Sequence, residues 1–304
     1  MLVTHHTGIL NINKPIQMTS HDVIKQVRKL TGVRKAGHAG TLDPLATGVL
    51  LVCLGQTTRL IEYLTAEIKV YRATILLGQA TNTYDAEGEI TQQADPSGLT
   101  RQQIEQTLEM FIGRIQQVPP AFSAIKKQGV PLYRLARQGI TVEPDPRTVH
   151  IETIEPVCWN LPELILDVTC HAGTYIRSLA HDLGQHLGVG AHLAGLVRLQ
   201  SGAWSVSEAI SLEDLAFHCQ NDSLIEVLKP KEAAVHSLPS VHLSQAETSA
   251  LCQGQAIDQP QELAARSLAD QPIAGFDQVG KLVAILQLSA DGLLKPKKVF
   301  QAIS

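Results

Sequence analysis

One carboxylate stands in the segment of the sequence that least resembles an ordinary loop. Residues 37–48 (GHAGTLDPLATG) contain three glycines, one proline and a single acid, Asp43. The proline restricts Asp43 to extended backbone, and the apolar run that follows offers a rigid support. A carboxylate held in this way could act as a nucleophile or as a base. An aspartate that only closes a turn would give the same pattern, so both interpretations stay open here.

A cation and an aromatic residue could complete such a site. Arg177 ends residues 173–177 (GTYIR), where a predicted strand gives way to a helix. Its planar guanidinium can hold a carboxylate in a fixed orientation. A cation at a helix start opposes the macrodipole, which favours a specific role, although an ordinary ion pair would also explain it. Tyr71, flanked by bases in a predicted strand, suits either stacking on a nucleobase or a place in the core.

Charge is distributed unevenly along the chain. The formal net charge is −4, but residues 1–204 carry 18 bases and 17 acids, whereas residues 205–280 carry 3 and 11. Residues 9–43 hold six bases against two acids. Salt screens charge over roughly 8–10 Å, so a local basic stripe can bind phosphates even on an acidic protein. The alternative is an ordinary solvated helix face.

Length and composition limit the class of protein. The 304 residues, 44% of them hydrophobic and 18% charged, are enough for a sizeable core and do not fit a disordered or polybasic chain. The longest apolar run, residues 49–54, is far shorter than the roughly 20 residues of a membrane span. The N-terminus lacks a signal-peptide pattern, which indicates a cytoplasmic protein. The five scattered cysteines indicate core residues in a reducing compartment, and no metal-binding motif is visible.

The elements that must position these residues follow from hydrophobic periodicity. The pattern predicts strands at residues 9–13, 49–54, 69–77, 147–158 and 163–171. It predicts helices after an N-cap at Ser20 and at residues 100–111 and 175–187, with a loop over residues 34–48. There is no regular βαβ spacing, so we predict an α+β fold: a mixed, mainly antiparallel central sheet flanked by helices. A catalytic domain is expected over residues 1–235, with an insertion around 119–150, and a small β-rich domain over residues 236–304.

Several motifs recur in a fixed order along the first two thirds of the chain. They are GILNINKP at 8–15, MTS at 18–20, GH and GTLDPLATG within 37–48, Tyr71, LG at 77–78 followed by Thr81, Thr83, Asp85 and Gly88, PPAFSA at 119–124, GTYIR at 173–177, DLG at 182–184 and GAHL at 190–193. Together they resemble the bacterial tRNA pseudouridine-55 synthase family, known as TruB. Gln17 and Ala39 depart from the family pattern, which usually has Gly and Thr there.

The resemblance implies a pseudouridine synthase fold with a PUA-like domain at residues 236–304. It also implies a tRNA T-arm as substrate, with no metal, nucleotide or organic cofactor, and we expect a monomer. Asp43 resembles the catalytic aspartate, Arg177 its ion-pair partner, and Tyr71 the tyrosine that stacks on the target base. By the usual rule, the cation should lower the pKa of Asp43 by about 1–3 units. The RNA-binding residues implied are His38, Lys14, Tyr175, Leu196, Lys126 and Arg137. Among them, the resemblance implies that Lys14 supports the pocket electrostatically and that His38 packs into the gap that the flipped nucleotide leaves in the RNA loop.

Two other functions remain possible at the level of sequence. A tRNA-binding or tRNA-folding factor could keep this scaffold without catalysis, but it would not need Asp43, Tyr71 and Arg177. A hydrolytic glycosidase would normally use a second carboxylate, and no partner acid is obvious in the sequence.

Overall fold

The computed structural model describes residues 6–122, 144–260 and 271–300, and the backbone alone at 126–127 and 130–131. The predicted insertion around 119–150 is therefore described mainly at its ends. Of the two cations predicted there, the side chain of Lys126 and the whole of Arg137 lie outside the described residues.

Strands dominate the described part of the chain. In order they are β1 (Gly8–Lys14), β2 (Ala36–Ala39), β3 (Ala46–Leu54), β4 (Lys69–Leu77), β5 (Gln79–Thr81), β6 (Ile90–Gln93), β7 (Gly113–Gln117), β8 (Lys126–Lys127), β9 (Val130–Pro131), β10 (Arg147–Asn160), β11 (Glu163–Cys170), β12 (Ala191–Ser201), β13 (Trp204–Ser205), β14 (Ser240–His242), β15 (Ile257–Asp258), β16 (Pro272–Phe276), β17 (Leu282–Leu288) and β18 (Leu293–Val299). The α-helices are α1 (Ser20–Thr31), α2 (Ile61–Ala66), α3 (Arg101–Glu109), α4 (Ile176–His186), α5 (Leu212–Gln220), α6 (Leu224–Val227) and α7 (Gln245–Cys252). No helix in the described ranges has the length and apolar character to cross a bilayer.

A central sheet carries the larger part of the fold. Its strands follow the order β1-β3-β12-β4-β11-β10-β7, with β2 on β3 and β13 on β12. Among the described strands of this sheet, β3 and β12 pair in parallel and the other neighbours are antiparallel. The predicted α+β class with a mixed, mainly antiparallel sheet is thus confirmed.

Helices cover this sheet through two apolar clusters. Residues of α3 and α4, such as Ile104 and Leu179, pack against β4, β10 and β11. Residues of α1, such as Val23 and Val27, pack against β1 and β3. Each helix buries the stripe that its three- and four-residue spacing predicts.

The predicted N-cap at Ser20 is wrong by one residue. Thr19 caps α1 and forms a capping box with Asp22. Ser20 is buried instead, where its hydroxyl donates to the Leu42 carbonyl at 3.0 Å and accepts from the Leu42 N–H at 2.8 Å. Thr19 and Ser20 both have the hydroxyl that a helix cap needs, but the hydroxyl of Ser20 instead connects α1 to the loop that carries Asp43.

The predicted loop at residues 34–48 is also too long. β2 pairs with β3 in register His38 with Val52, and β3 begins at Ala46, so residues 40–45 alone connect the two strands. Glycine and threonine in this segment are typical of turns, and the pairing with β3 overrides that local tendency.

A second sheet follows from residue 240. Its strand order is β14-β16-β17-β18-β15, and α7 packs on it through Leu251. Ala274, Leu282 and Phe300 share an apolar cluster with Ile9 and Val49 of the central sheet. The C-terminal sheet is therefore packed onto the larger sheet through a buried apolar contact. Its PUA-like character and the boundary at residue 236 remain predictions.

Candidate active site

Five of the predicted site residues line one cleft of about 260 Å³: Asp43, Tyr71, Tyr175, Arg177 and Leu196. It lies between the loop after β2, the start of β4, the end of β11, the start of α4 and the middle of β12. Its lining includes Gly40, Thr41, Leu42, Asp43, Thr65, Lys69, Tyr71, His171, Tyr175, Arg177, Leu196 and Arg198.

Asp43 and Arg177 meet in this cleft as the sequence predicts. The Nε of Arg177 lies 2.9 Å from Oδ2 of Asp43. The Arg177 side chain is 7% exposed and that of Asp43 is 40% exposed, so the carboxylate faces the cleft while its partner is buried beneath it. The guanidinium thus fixes the orientation of the one group of the pair that a substrate can reach.

A second carboxylate shares the same guanidinium. Asp85 is buried, and its Oδ2 accepts from Nη1 of Arg177 at 3.2 Å. Its other oxygen accepts from the Thr83 hydroxyl at 2.6 Å and from the Glu87 N–H at 3.2 Å. Asp85 therefore lies behind the cation rather than in the cleft, which does not suit the paired acids of a glycosidase. Asp85 belongs to one of the sequence motifs, but its residue type alone predicted no role for it.

The pKa of Asp43 shifts in the direction opposite to the one we predicted. Burial raises it above its ordinary value, and the charge of Asp85 adds to this shift. Arg177 and Lys14 lower it, but not enough to reverse the direction. The expectation from one neighbouring cation was wrong because it left out desolvation in the cleft and the second carboxylate.

Lys14 is hydrogen-bonded to the backbone at and before the loop that carries Asp43. Its Nζ is fully buried and donates to the carbonyls of Pro15 at 2.7 Å, Met18 at 2.6 Å and Pro44 at 3.4 Å. Burial lowers its pKa to about 8, against the attraction of Asp43 and Glu87. This location agrees with the predicted electrostatic support of the pocket rather than with direct contact to RNA.

Tyr71 and Leu196 form one wall of the cleft. Tyr71 lies on β4, and Leu196 on β12 lies opposite Ala73 of the same strand. Both side chains are partly buried and pack against the two apolar clusters, one that includes α3 and α4 and one that includes α1. Burial raises the pKa of the Tyr71 hydroxyl, while the Arg198 guanidinium lowers it. An aromatic ring and a branched aliphatic side chain in the wall suit the face of a flat heterocycle.

Tyr175 is positioned by a buried amide that the sequence argument missed. It is the N-cap residue of α4 and lines the cleft. Gln117, which is 1% exposed, accepts from the Tyr175 N–H at 2.8 Å and donates to its carbonyl at 3.0 Å. A glutamine at the end of a strand gives no signal in the sequence, because only the fold brings it to the helix start.

His38 does not line the cleft. It lies on β2 beside His21 and Arg198, and burial lowers its pKa. The contact of His38 with the RNA loop remains a prediction.

One group of described side chains could hold a metal ion: His150, Glu152 and His171, whose ligand atoms lie within 4.8 Å of one another. His171 Nε2 already lies 2.9 Å from Glu152 Oε1, and both side chains are about two fifths exposed. The prediction of no metal site is not tested by this arrangement.

Comparison with known sequences places this cleft in a family. Residues 28–176 match the model of the TruB family pseudouridylate synthase N-terminal domain, and residues 177–236 match that of the tRNA pseudouridylate synthase B C-terminal domain. A protein of Dehalococcoides mccartyi named tRNA pseudouridine synthase B is 43% identical over 298 residues, which are 96% of each chain. The chain belongs to the TruB family. A protein of Symbiobacterium thermophilum that is also named tRNA pseudouridine synthase B is 48% identical over 240 residues, which are 78% of each chain.

Solved structures agree with this TruB assignment. A chain in the crystal structure of a Cbf5-Nop10-Gar1 complex has a TM-score of 0.77 at 27% identity, covering 99% of this chain and 86% of that one. A chain from an H/ACA RNP bound to a substrate RNA containing 2′-deoxyuridine has a TM-score of 0.73 at 26% identity, covering 97% and 85%. The pseudouridine synthase fold predicted from the motifs is confirmed.

Proposed function

We propose that this protein isomerises uridine 55 in the T-loop of tRNA to pseudouridine, acting as a monomer without a metal or organic cofactor. The observation that carries the proposal is the pairing of Asp43 with Arg177 in a cleft walled by Tyr71 and Leu196. The names of the relatives, tRNA pseudouridine synthase B, support tRNA as the substrate.

The reaction breaks the bond from ribose C1′ to uracil N1 and forms a bond from C1′ to C5. N1 gains a proton and C5 loses one, so atoms and charge balance without an external reagent. The Asp43 carboxylate can attack C1′ or C6, or take the proton from C2′, and each route needs it ionised. Arg177 supports this by orienting the carboxylate and stabilising its charge.

The base must leave its stack to reach Asp43, at a cost of a few kcal/mol that contacts with the rest of the RNA must offset. Tyr71 would then stack on the flipped uracil, with Leu196 and Tyr175 bounding the pocket. Lys14 keeps the Asp43 loop in place, and His38 would fill the gap left in the RNA loop. Basic residues 14–35, with Lys126 and Arg137, would follow the phosphates.

The test uses a T-arm stem-loop labelled with tritium at C5 of the target uridine, because the isomerisation releases that hydrogen to water. We expect the wild-type protein to release it, and Asp43→Asn to bind the RNA but release none. Asp167→Asn, at an exposed ion pair with Arg72 on β4, is the matched control and should keep its activity.

Release of tritium at the wild-type rate by Asp43→Asn would remove Asp43 from the mechanism. Tight binding of tRNA without any release by the wild-type protein would instead support the non-catalytic binding factor. Free uracil and an abasic site would indicate the hydrolase.

A further inference from the structure

A buried arginine that does not touch Asp43 links the two halves of the site. Arg198 lies on β12, opposite Gly48 of β3 on one side and opposite Tyr71 of β4 on the other. It is 1% exposed, and it is one of the largest fully buried side chains in the described part of the chain. Burying a guanidinium is costly unless its N–H donors are hydrogen-bonded, so the acceptors of Arg198 indicate its role.

Those acceptors lie at the start of the loop that carries Asp43 and in strand β3, which follows the loop. The Nε of Arg198 donates to the Val49 carbonyl at 2.6 Å, and Nη2 donates to the Gly40 carbonyl at 3.2 Å. Arg198 also lies directly opposite Tyr71 and lines the same cleft, and its guanidinium is close enough to the Tyr71 hydroxyl to lower the pKa of that group. The same side chain thus contacts the loop before Asp43, the strand after it and the stacking tyrosine.

Two glycines, Gly40 and Gly48, lie close to this arginine. Gly40 has φ +82°, and a Cβ there would lie 3.2 Å from Nη1 of Arg198. Gly48 has φ +95°, and a Cβ there would lie 2.2 Å from the Arg198 carbonyl oxygen. Both positions combine a left-handed backbone with close approach to Arg198, to its side chain at Gly40 and to its backbone at Gly48, so glycine is required at both.

We propose that Arg198 is a positioning residue for the reaction, which holds the Asp43 loop and the Tyr71 side chain in one fixed arrangement. Arg177 orients the carboxylate itself, whereas Arg198 sets where the loop stands relative to the stacked base. A guanidinium suits this task because its donors diverge in one plane toward the two carbonyls, a fixed geometry that the single ammonium of lysine cannot match. The proposal rests on the catalytic role proposed for Asp43.

The experiment measures single-turnover rates and tRNA affinity for Arg198→Lys, which keeps the charge and most of the volume. We expect the rate at saturating tRNA to fall about 10- to 100-fold, as for a displacement of reacting groups by about 1 Å. The dissociation constant for tRNA should change less than threefold. Arg72→Lys, on the exposed side of β4, is the matched control and should keep both values.

Double-mutant cycles separate positioning from general support of the fold. If Arg198 acts through the tyrosine and the loop, the factor by which Arg198→Lys lowers the single-turnover rate should be at least five times smaller in a Tyr71→Phe or Gly40→Ala background than in the wild type. Multiplicative effects in both cycles would overturn the proposal. If Tyr71→Phe leaves no measurable turnover, the Gly40→Ala cycle decides by the same criterion.

A variant that fails to fold does not remove the test. If Arg198→Lys loses tRNA binding, Gly40→Ala alone should still lower the rate at least tenfold with unchanged affinity, and a full rate for Gly40→Ala would refute the proposal. Wild-type turnover and its loss in Asp43→Asn are measured first. A failure at that stage counts against the proposed function and not against the role of Arg198.

Discussion

Replacing Asp85 with asparagine tests the electrostatics of the cleft in one step. Asp43 and Asp85 bind neighbouring nitrogens of the same guanidinium, at 2.9 and 3.2 Å. Asparagine removes the second negative charge and keeps one carbonyl oxygen, which can accept from Arg177 while its amide NH2 group donates to the Thr83 hydroxyl. Because that charge raises the pKa of Asp43, we expect Asp85→Asn to lower it.

The size of the shift follows from the geometry. Two carboxylates on one guanidinium lie about 5 Å apart, and unit charges at that distance repel by about 3 kcal/mol at an effective dielectric constant of about 20. This corresponds to about 2 pKa units. The side chain of Asp43 is 40% exposed, so solvent screening reduces the expected shift to about 1 unit.

The assay is the single-turnover rate between pH 4 and 8. Activity needs the ionised carboxylate, so it falls as pH drops through the pKa of Asp43. In Asp85→Asn this fall should occur about 1 pH unit lower than in the wild type, whereas Asp167→Asn should leave it in place. A fall at the same pH, or at a higher one, would refute the shared-guanidinium explanation of the raised pKa.

Three further changes should have separate effects. Burial raises the pKa of Asp182 to about 6, so its charge destabilises the folded state above that pH. Asp182→Asn should therefore add about 1–2 kcal/mol to the free energy of unfolding at pH 8 and nothing at pH 4. Gly48→Ala should cost at least about 2 kcal/mol in urea unfolding, because its Cβ would meet the Arg198 carbonyl. Gln117→Leu should cost about 1–3 kcal/mol and raise the KM for tRNA, since it removes the acceptor of the Tyr175 N–H and one of the two donors to the Tyr175 carbonyl.

Each of these predictions has its own contrary result. A loss of stability at pH 8 in Asp182→Asn would show that the carboxylate is held by a favourable interaction. A stable Gly48→Ala would show that β3 can move away from β12. An unchanged KM in Gln117→Leu would show that Tyr175 keeps its place without the amide. Gly188→Ala is the control for the glycine change, because it also has a left-handed φ but open space around its Cβ position.

Local patterns predicted the elements best where packing and propensity agree. Strand β4 begins and ends at the predicted residues, since its β-branched and apolar residues fit a buried strand. The same reasoning misplaced the cap at Ser20, whose hydroxyl is engaged by a tertiary hydrogen bond. It also missed β2, which is extended because it pairs with β3. Propensity describes what a segment prefers alone, and these segments are fixed by partners elsewhere in the chain.

The site was predictable as far as single residues carry a chemical signal. Asp43, Arg177 and Tyr71 were chosen by type and motif, and they meet in one cleft. Asp85 and Arg198 were not assigned roles, because their importance lies in which groups they contact across the sheet. The direction of the pKa shift of Asp43 was missed for the same reason, since burial and a second acid are properties of the assembled cleft.

The parallel pairing of β3 with β12 has a consequence for biogenesis. Arg198 and its acceptor at Val49 are 149 residues apart in the chain, and Arg177 and Asp85 are 92 apart. Such non-local contacts form late, because loop closure must precede them. A nascent chain on the ribosome therefore has no assembled reaction centre until β12 has been synthesised and inserted between β3 and β4.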